Sequence, residues 1–420
     1  MNSLTFIISL VALFSISNGF PATLFPDPEF QDFPIPDTVD ELDPSTVVQL
    51  FIEFERAYNK EYMSPLDQAK ARSIFQFNVE NIIRLNQQYA NTSLRFGINY
   101  YTDFSDLEFK EKVANLHVDS VSQDSQIGES APNLENIPAS FDWRDRDNTV
   151  GGVSNQGYCG CSWGFTVSSV IQSAFSIQNS KFFIPSEQQL CDCAQGGNSG
   201  CSGGSVRDGF EYVKQNGIVL EENYQKHIEK HQEMYCVQQK DAIHVSNYKF
   251  IQPATSSEIQ KTLLSNGPIA VGFKVSNSFR HYKSGIFSLN DCETSDNFIG
   301  WHSVTIVGYG TENEQDFWIA KNSWSPSFGE EGFFRISRNI DLCQIESKMP
   351  IKSAARSDSS DGLISLCSNE RGHKLMKHYC PTDFAAVRYD AFKGEHLRPP
   401  IVMRPPETFS SVYAMLAKFS

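Results

Sequence analysis

The sequence lacks three features that would assign it to particular classes of protein. It has no long block of charges of one sign, no internal repeat and no apolar run long enough to span a bilayer. Basic residues are scarce, because 35 lysines and arginines stand against 50 aspartates and glutamates, for a formal charge of −15. A polyanion is a poor match for nucleic acid or an anionic membrane surface. We therefore expect no nucleic-acid partner and no membrane span in the mature protein.

The apolar run nearest the N-terminus, Leu4 to Ile16, is followed by small residues through Gly19. This pattern is typical of a cleaved signal peptide, to which we assign residues 1–19. Cleavage would place the chain in the secretory pathway, with an extracellular or lysosomal destination, where disulfides persist. The ten cysteines and the glycosylation acceptor pattern at Asn91 fit this route.

Composition divides the remaining chain into five segments. They are a proline-rich, acidic linker at 20–45, a segment of helical periodicity at 46–110, a polar, exposed and cleavable linker at 111–136, a globular domain at 137–353, and a C-terminal extension of unknown role at 354–420.

The globular domain changes character along its length. Its first half is mainly helical, and "WGFTVSSVIQSAF" places apolar residues on one helix face: Trp163, Val167, Val170, Ile171 and Ala174. Its second half contains the strand-like runs "VTIVGYG", "DFWIAKNSW" and "EGFFRISR", bounded by turn residues. Helices followed by strands predict an α+β domain of two packed halves, and the interface between them favours a ligand cleft.

The stretch "NQGYCGCSWGF" has the composition of a site for a nucleophile. The predicted helix begins at about Ser162, so Cys161 and Ser162 lie where the positive end of the helix favours an anion. A base from elsewhere in the chain is supplied by His302 in "GWHSVTIVGYG", and Asn322 in "KNSW" is one hairpin away, where it can hold the imidazole. Gln156 offers an oxyanion donor in the same loop as Ser162.

These segments, with "SEQQLCDC", "GCSGG" and "KNSWSPSFGEEGFFRI", resemble the papain and cathepsin L family of cysteine peptidases over residues 137–351. Two further sets of residues resemble the family's inhibitory propeptide: Phe75, Asn78, Ile82 and Asn86, and then Gly97, Asn99, Tyr101 and Asp103. The resemblance implies an α+β, papain-like fold of a helical half and a β-barrel-like half. It also implies a helical N-terminal propeptide that inhibits its own chain, and a zymogen activated by loss of residues up to about Asn136.

The resemblance assigns roles to single residues. Gln156 falls on the oxyanion glutamine, His302 on the base, Asn322 on its orienter and Trp324 on the indole that shields their contact, whereas Ser162 falls on the nucleophilic cysteine. The family reads Cys-Gly-Ser-Cys-Trp where this chain reads Cys-Gly-Cys-Ser-Trp, with the spacing unchanged. Gly164 also stands where the family has alanine.

The exchange of sulfur for oxygen bears directly on activity. A thiol has a pKa of about 8.5, which falls to ~3–4 beside an imidazolium at a helix start, and papain is the reference example for this effect. An alcohol is far too basic to ionise there and needs the base to take its proton during attack. Cys161 should point about 100° away from its neighbour on the helix, and so away from His302.

Three readings therefore stay open: a Ser162 hydrolase, a hydrolase that uses the displaced thiol of Cys161, and a fold with little or no activity. We favour the third, in a protein that is a cysteine-type endopeptidase by family. The alternative function is a non-catalytic pseudo-peptidase that binds peptides or inhibitors in its cleft.

The resemblance also implies a disulfide framework. The implied bridges are Cys159–Cys201, Cys193–Cys236 and Cys292–Cys343. Cys191 stands where the family has an apolar residue, and we hypothesise that it pairs with Cys161. In the C-terminal extension a Cys367–Cys380 bridge is favoured over a metal site, so neither a metal nor a cofactor is expected.

Substrate contacts follow from the resemblance as well. Gly203 and Gly204 would pair with the substrate backbone, and the main specificity pocket would be lined by Ser205, Val206, Gly272, Gly300 and Ser303. Lys348 at its floor would favour an acidic side chain at the second residue before the scissile bond, or else snorkel outward. No insertion resembles an exopeptidase occluding loop, so we expect a monomeric endopeptidase with a peptide or protein in the cleft.

Overall fold

The computed structural model describes residues 33–118, 134, 136–194, 198–224, 235–237, 242–348 and 350–354. We call residues 33–118 the N-terminal segment and residues 136–354 the globular domain. The predicted signal peptide, nearly all of the predicted C-terminal extension and the predicted Cys367–Cys380 bridge lie outside the described residues. Within the described ranges, no helix combines the length and the apolar character that crossing a membrane requires.

The described residues form seven α-helices and ten β-strands. The helices are α1 (Pro44–Ala57), α2 (Pro65–Gln88), α3 (Asp106–Lys112), α4 (Ser162–Asn179), α5 (Glu187–Cys193), α6 (Val206–Asn216) and α7 (Ser256–Asn266). The strands are β1 (Arg95–Phe96), β2 (Phe141–Asp142), β3 (Asn247–Phe250), β4 (Ile269–Ser276), β5 (Tyr282–Ser284), β6 (Ile286–Phe287), β7 (Phe298–Glu312), β8 (Gln315–Lys321), β9 (Phe333–Ser337) and β10 (Ile351–Ala354).

The N-terminal segment is built on α1 and α2. Each begins at a proline that follows a capping residue, because the side chain of Asp43 accepts a hydrogen bond from the Thr46 amide and that of Ser64 accepts one from Asp67. The two helices pack through aromatic rings, with Phe75 of α2 4.9 Å from Phe54 and 5.3 Å from Phe51 between ring centres. The predicted helical character of this segment follows from these caps and this apolar face.

The linker predicted at 20–45 is shorter than expected. A 3₁₀ turn forms at Val39–Glu41, α1 begins at Pro44, and Phe33 and Ile35 pack against the helices. The proline that we took as a linker signal is instead the first residue of a helix, a position that proline favours.

The exposed linker predicted at 111–136 is wrong for its first residues. Helix α3 extends to Lys112, and Val113, Ala114 and Leu116 are buried. The sequence showed no period here because these residues are buried by the globular domain rather than by a helix or sheet of their own.

The α+β architecture of the globular domain is confirmed. Helices α4, α5 and α6 form one half, and the other half is a mainly antiparallel sheet of strand order β3-β10-β4-β7-β8-β9-β6, with β2 beside β7. Only the pairing of β6 with β9 is parallel among the strand pairs described. Helix α4 is buried on nearly every side rather than on one face, because it packs between the sheet and the other two helices.

Two local features position the site. Helix α4 begins at Ser162 and aims its N-terminus at β7. Strands β7 and β8 form a hairpin whose turn residues Asn313 and Glu314 have φ of 50° and 64°, the left-handed values that suit a tight hairpin. The hairpin brings the end of β8 beside the middle of β7.

Candidate active site

The junction of α4 with the β7–β8 hairpin brings together the residues predicted to carry chemistry. Ser162 is the first residue of α4, His302 lies within β7, and Asn322 directly follows β8. All three are buried, with exposed fractions of 0%, 0% and 3%. Tyr101 and Phe109 of the N-terminal segment pack against the neighbouring Trp324 and help to bury the site.

His302 and Asn322 form the expected pair. The Nε2 atom of His302 lies 2.8 Å from Oδ1 of Asn322, which also accepts the amide of Ser323 at 2.8 Å. Because Oδ1 can only accept, Nε2 must carry the proton and Nδ1 must present a lone pair. Nδ1 is buried and has no hydrogen-bond partner among the described residues.

Burial holds His302 neutral. It lowers the pKa of the imidazole to about 4, and the hydrogen bond to Asn322 opposes that shift. Trp324 lies over the ring at 4.6 Å between centres and excludes water from the His302–Asn322 contact. The imidazole is thus a neutral base with a free lone pair, since burial opposes its charged form and only the Asn322 hydrogen bond favours it.

Ser162 is hydrogen-bonded elsewhere. Its Oγ accepts the hydroxyl of Ser303 at 3.1 Å and the amide of Ser303 at 3.4 Å. No hydrogen bond joins Ser162 to His302, although both side chains meet at this junction. Ser303, which we predicted in the specificity pocket, points at Ser162 and also accepts the hydroxyl of Thr166 at 3.2 Å.

The oxyanion donor is occupied. Nε2 of Gln156 donates to the carbonyl of Cys159 at 2.9 Å and to the carbonyl of Val113 at 3.2 Å, and its Oε1 accepts the hydroxyl of Ser323 at 2.7 Å. Val113 belongs to the N-terminal segment. A carbonyl oxygen of the chain itself therefore stands at the side chain that we predict as the donor to a substrate oxyanion.

The displaced thiol is held in a disulfide. Cys161 and Cys191 are bonded, with S–S 1.94 Å and Cα atoms 5.9 Å apart. A β-carbon on Gly164 would lie 2.7 Å from the sulfur of Cys161, so the glycine at this position makes room for the bridge. In this state Cys161 has no thiolate to offer.

The structure contains three further disulfides among the described residues, and they match the implied pairs. These are Cys159–Cys201, Cys193–Cys236 and Cys292–Cys343. The first lies directly beside the site and ties the loop before α4 to the "GCSGG" turn. It fixes that turn relative to Ser162.

The N-terminal segment fills the cleft between the two halves. The amide of Leu116 donates to the carbonyl of Trp301 at 3.0 Å, and that of His117 donates to the carbonyl of Gly204 at 2.8 Å, in parallel pairings. Gly300 and Gly203 allow this approach, because a β-carbon on either would strike the carbonyl of Ala114 or Asn115. The cleft can therefore pair with an extended backbone, and its own chain does so here.

The other four residues predicted to line the specificity pocket lie at the start of α6, on β4 and near Trp301. Ser205 and Val206 are buried at the start of α6, and the amide of Gly272 donates to the carbonyl of Lys348 at 3.0 Å. The Nζ atom of Lys348 lies 5.7 Å from the ring centre of Trp301. Lys348 thus lies next to a tryptophan that also contacts the bound segment.

Sequence analysis named Asn78 and Tyr101 as propeptide residues but missed their partners in the globular domain, Arg280 and Gly157. Arg280 is 1% exposed and donates to Oδ1 of Asn78 at 2.7 Å, and the hydroxyl of Tyr101 donates to the carbonyl of Gly157 at 3.0 Å. The signal for Arg280 was its position, since arginine and histidine interrupt the aromatic run "SFRHY". Asn91 lies exposed after α2, and no cluster of metal-ligating side chains occurs among the described residues.

Two family models match the chain. The model of papain family cysteine proteases matches residues 137–352, and that of the cathepsin propeptide inhibitor domain matches residues 51–109. The first covers just over half of the chain.

Individual relatives agree with both models. A cathepsin L-like proteinase of Fasciola hepatica is 32% identical over 73% of this chain and 94% of its own length. Pro-cathepsin H of Mus musculus is 31% identical over 70% of this chain and 86% of its own length.

Solved structures give the same fold. Digestive procathepsin L2 proteinase of Tenebrio molitor larval midgut aligns with TM-score 0.66 and 32% identity, covering 73% of this chain and 99% of that one. Procathepsin L 3 of the same source aligns with TM-score 0.65 and 29% identity, again over 73% and 99%. The papain-like two-part fold with an N-terminal helical propeptide is thereby confirmed.

Proposed function

This chain belongs to the papain family of cysteine peptidases as a zymogen with its propeptide, and from that premise we propose that it hydrolyses peptides weakly or not at all. The observation that carries the proposal is the alcohol of Ser162 at the nucleophile position, hydrogen-bonded to Ser303 instead of His302.

Proton transfer to His302 distinguishes an alcohol from a thiol at position 162. A thiol at the start of α4 would give its proton to His302 before substrate arrives, and the helix would stabilise the resulting anion. An alcohol keeps its proton, so attack on a peptide carbonyl requires Nδ1 of His302 to accept that proton as the C–O bond forms. His302 has the free lone pair for this step, but Ser162 is not paired with it.

The proposal is tested by restoring the thiol. Every protein compared also carries Arg280→Leu and is cut within 119–133, so that the N-terminal segment leaves the cleft. In that background Ser162→Cys should raise peptidase activity by about 10³-fold or more over Ser162, since losing a nucleophile from an intact site costs factors of this size. The matched control is Ser162→Ala, which keeps the fold and removes the reacting atom. If Ser162→Cys is no more active than Ser162→Ala, the remaining machinery is not intact and the proposal fails.

A second candidate function is a pseudo-peptidase that binds peptides or inhibitors. It is favoured by the cleft's ability to pair with an extended backbone through Trp301 and Gly204. The test uses Ser162→Ala/Arg280→Leu, cut within 119–133 so that the N-terminal segment leaves the cleft, and titrated with a peptide of residues 111–118. Saturable binding supports this function, and no binding at any peptide concentration counts against it.

The displaced thiol is the remaining catalytic alternative. The bond between Cys161 and Cys191 argues against it. A thiol-alkylating peptide probe should leave Cys161 unlabelled in the oxidised protein, and labelling that substrate prevents would contradict our proposal.

We also propose that Lys348 selects acidic side chains in any peptide that binds. Its ammonium lies 5.7 Å from the ring centre of Trp301, whose carbonyl pairs with the N-terminal segment in the cleft, so its charge favours a carboxylate on a peptide that binds there. In the Ser162→Cys protein, peptides with glutamate at the second residue before the scissile bond should be cleaved faster than their glutamine counterparts. Lys348→Ala should abolish the difference, and an unchanged ratio would refute the role.

We propose a secretory-pathway location, extracellular or lysosomal. Four disulfides among the described residues suit an oxidising compartment, and Asn91 is exposed for glycosylation. Expression in a secreting cell should give a product whose mobility changes with glycosidase, and Asn91→Gln should remove the change.

A further inference from the structure

Ser303 lies directly after His302 on β7, so the two side chains face opposite sides of the strand. His302 faces Trp324, and Ser303 faces the first turn of α4. There its hydroxyl meets Ser162 at 3.1 Å and Thr166, one turn further along the helix, at 3.2 Å. Three hydroxyls thus form a buried chain from α4 to β7.

The direction of these bonds matters for reactivity. Thr166 donates to Ser303, and Ser303 donates to Ser162 through its hydroxyl, with a second and longer contact from its amide. An alcohol oxygen has two lone pairs, and both are engaged in this arrangement. Attack on a carbonyl uses one of those lone pairs, so the bonds from Ser303 oppose it.

The same bonds separate Ser162 from its base. Nδ1 of His302 needs a donor, and the hydroxyl of Ser162 is the donor that the family's geometry would supply, yet the two are not hydrogen-bonded. A buried acceptor without a donor costs about 1–3 kcal/mol. The two bonds from Ser303 therefore fix the oxygen of Ser162 in a position from which its hydroxyl makes no hydrogen bond to Nδ1 of His302.

We propose that Ser303 is a positioning residue that holds the hydroxyl of Ser162 away from His302 and thereby suppresses hydrolysis. This inference rests on the proposed function, because it explains the weak activity of that same site. The low peptidase activity then has two causes, the oxygen that replaces sulfur at position 162 and the hydroxyl of Ser303 that holds this oxygen.

Ser303 can hold an alcohol at position 162 in this way, but not a thiol. Sulfur is a weak hydrogen-bond acceptor, so Ser303 should hold a thiol in Ser162→Cys far less firmly. Removal of the Ser303 hydroxyl should therefore activate the natural chain and change the Ser162→Cys protein little.

The first test measures labelling of Ser162 by a fluorophosphonate. In this reaction the Oγ–P bond forms, the P–F bond breaks, fluoride leaves and the hydroxyl proton passes to Nδ1 of His302. Every protein compared carries Arg280→Leu and an inserted protease site within 119–133, and is cut there so that the N-terminal segment leaves the cleft. Ser303→Ala should label about tenfold faster than the same chain with Ser303, the effect of one hydrogen bond.

Three variants control this result. Ser303→Thr keeps the hydroxyl and should restore slow labelling, whereas Thr305→Val removes a buried hydroxyl two residues along β7 and should change nothing. His302→Ala, added to Ser303→Ala, should remove the gain, because the released hydroxyl acts only through the imidazole.

A second readout on the uncut chain does not depend on activity. In ¹⁵N-histidine spectra, the Nδ1 signal of His302 should move in Ser303→Ala as Ser162 begins to donate to it, and should stay in place in Thr305→Val. An unmoved signal together with unchanged labelling overturns the inference, even if Ser162→Cys is active. A moved signal with an inactive Ser162→Cys supports the inference and instead refutes the proposed function.

Discussion

The guanidinium of Arg280 donates to Oδ1 of Asn78 at 2.7 Å, across the boundary between the globular domain and the N-terminal segment. The same guanidinium lies 3.0 Å from the carboxylate of Asp106 and 3.4 Å from the carbonyl of Phe104. Its side chain is 1% exposed. All three of these partners belong to the N-terminal segment, so this one side chain fastens much of it.

We expect Arg280→Leu to loosen the N-terminal segment. The change leaves the amide oxygen of Asn78 without its donor in a buried interface, a loss that costs about 1–3 kcal/mol, and it removes the cation that faces Asp106. After a cut within 119–133, the segment should elute separately from the globular domain in gel filtration, whereas it stays bound in the unchanged chain.

Arg338→Leu is the matched control for Arg280. Arg338 is 9% exposed and pairs with Asp316 within the globular domain. It should lower stability without releasing the segment. If both variants release the segment equally, the effect comes from general instability and not from the contact with Asn78.

A second prediction concerns the buried pair of Lys60 and Asp103. Their Nζ and Oδ1 atoms are 2.9 Å apart, and the side chains are 1% and 3% exposed. Lys60→Met leaves the carboxylate of Asp103 with the hydroxyl of Tyr62 but no cation, and such a loss costs about 3–5 kcal/mol. Urea unfolding should show this drop.

The double variant Lys60→Met/Asp103→Asn should recover part of that loss, since the uncompensated charge is then gone. Lys70→Met serves as a surface control, because Lys70 is 67% exposed and 3.6 Å from Glu108. It should change stability by no more than about 1 kcal/mol. A double variant no more stable than the single one would contradict the role assigned to the charge.

A third prediction follows from two buried histidines. Burial lowers the pKa of His302 to about 4, and burial and the neighbouring Arg280 hold the pKa of His281 well below its usual value. The unfolded chain binds protons at both sites below about pH 6.5, while the folded chain does not. Stability is therefore highest above that pH and falls as the pH drops, by about 2 kcal/mol per histidine at pH 5.

Unfolding in urea at pH 7.5, 6 and 5 should show this decline, and His281→Gln should make it shallower. His244, which is exposed, is the control, and His244→Gln should leave the pH profile unchanged. Equal slopes in all three proteins would show that other groups cause the acid sensitivity.

The features that sequence analysis predicted well are local ones. The start of α4 at Ser162, the strand carrying His302 and the hairpin leading to Asn322 each follow from short periodic runs and turn residues. The pairing of Cys161 with Cys191 was a hypothesis drawn from the family resemblance, in which Cys191 replaces an apolar residue, and the structure contains that bond.

The features it missed depend on contacts between distant segments. Ser303 was placed in the substrate pocket, but its hydroxyl turns toward Ser162, a relation that exists only once α4 packs on β7. Val113 and Leu116 have no periodic signal, because the cleft of the globular domain buries them. Arg280 interrupts an aromatic run in the sequence, but its role depends on its contact with Asn78, which is distant in the chain.

The last prediction concerns Gly164 and the bond between Cys161 and Cys191. A β-carbon at Gly164 would lie 2.7 Å from one sulfur and 3.4 Å from the other. Alanine is the better helix former by about 1 kcal/mol, but in the oxidised chain the overlap should outweigh this, and Gly164→Ala should destabilise by about 1–3 kcal/mol.

The sign of the effect should reverse when the sulfurs are removed. In Cys161→Ala/Cys191→Ala the overlap is gone, and Gly164→Ala should stabilise the protein by up to about 1 kcal/mol. Gly152→Ala, where nothing lies within 4 Å of the added carbon, should have a similar small effect in both backgrounds. Thermal unfolding of these variants decides the point. A Gly164→Ala that destabilises both backgrounds equally would show that the glycine serves something other than the disulfide.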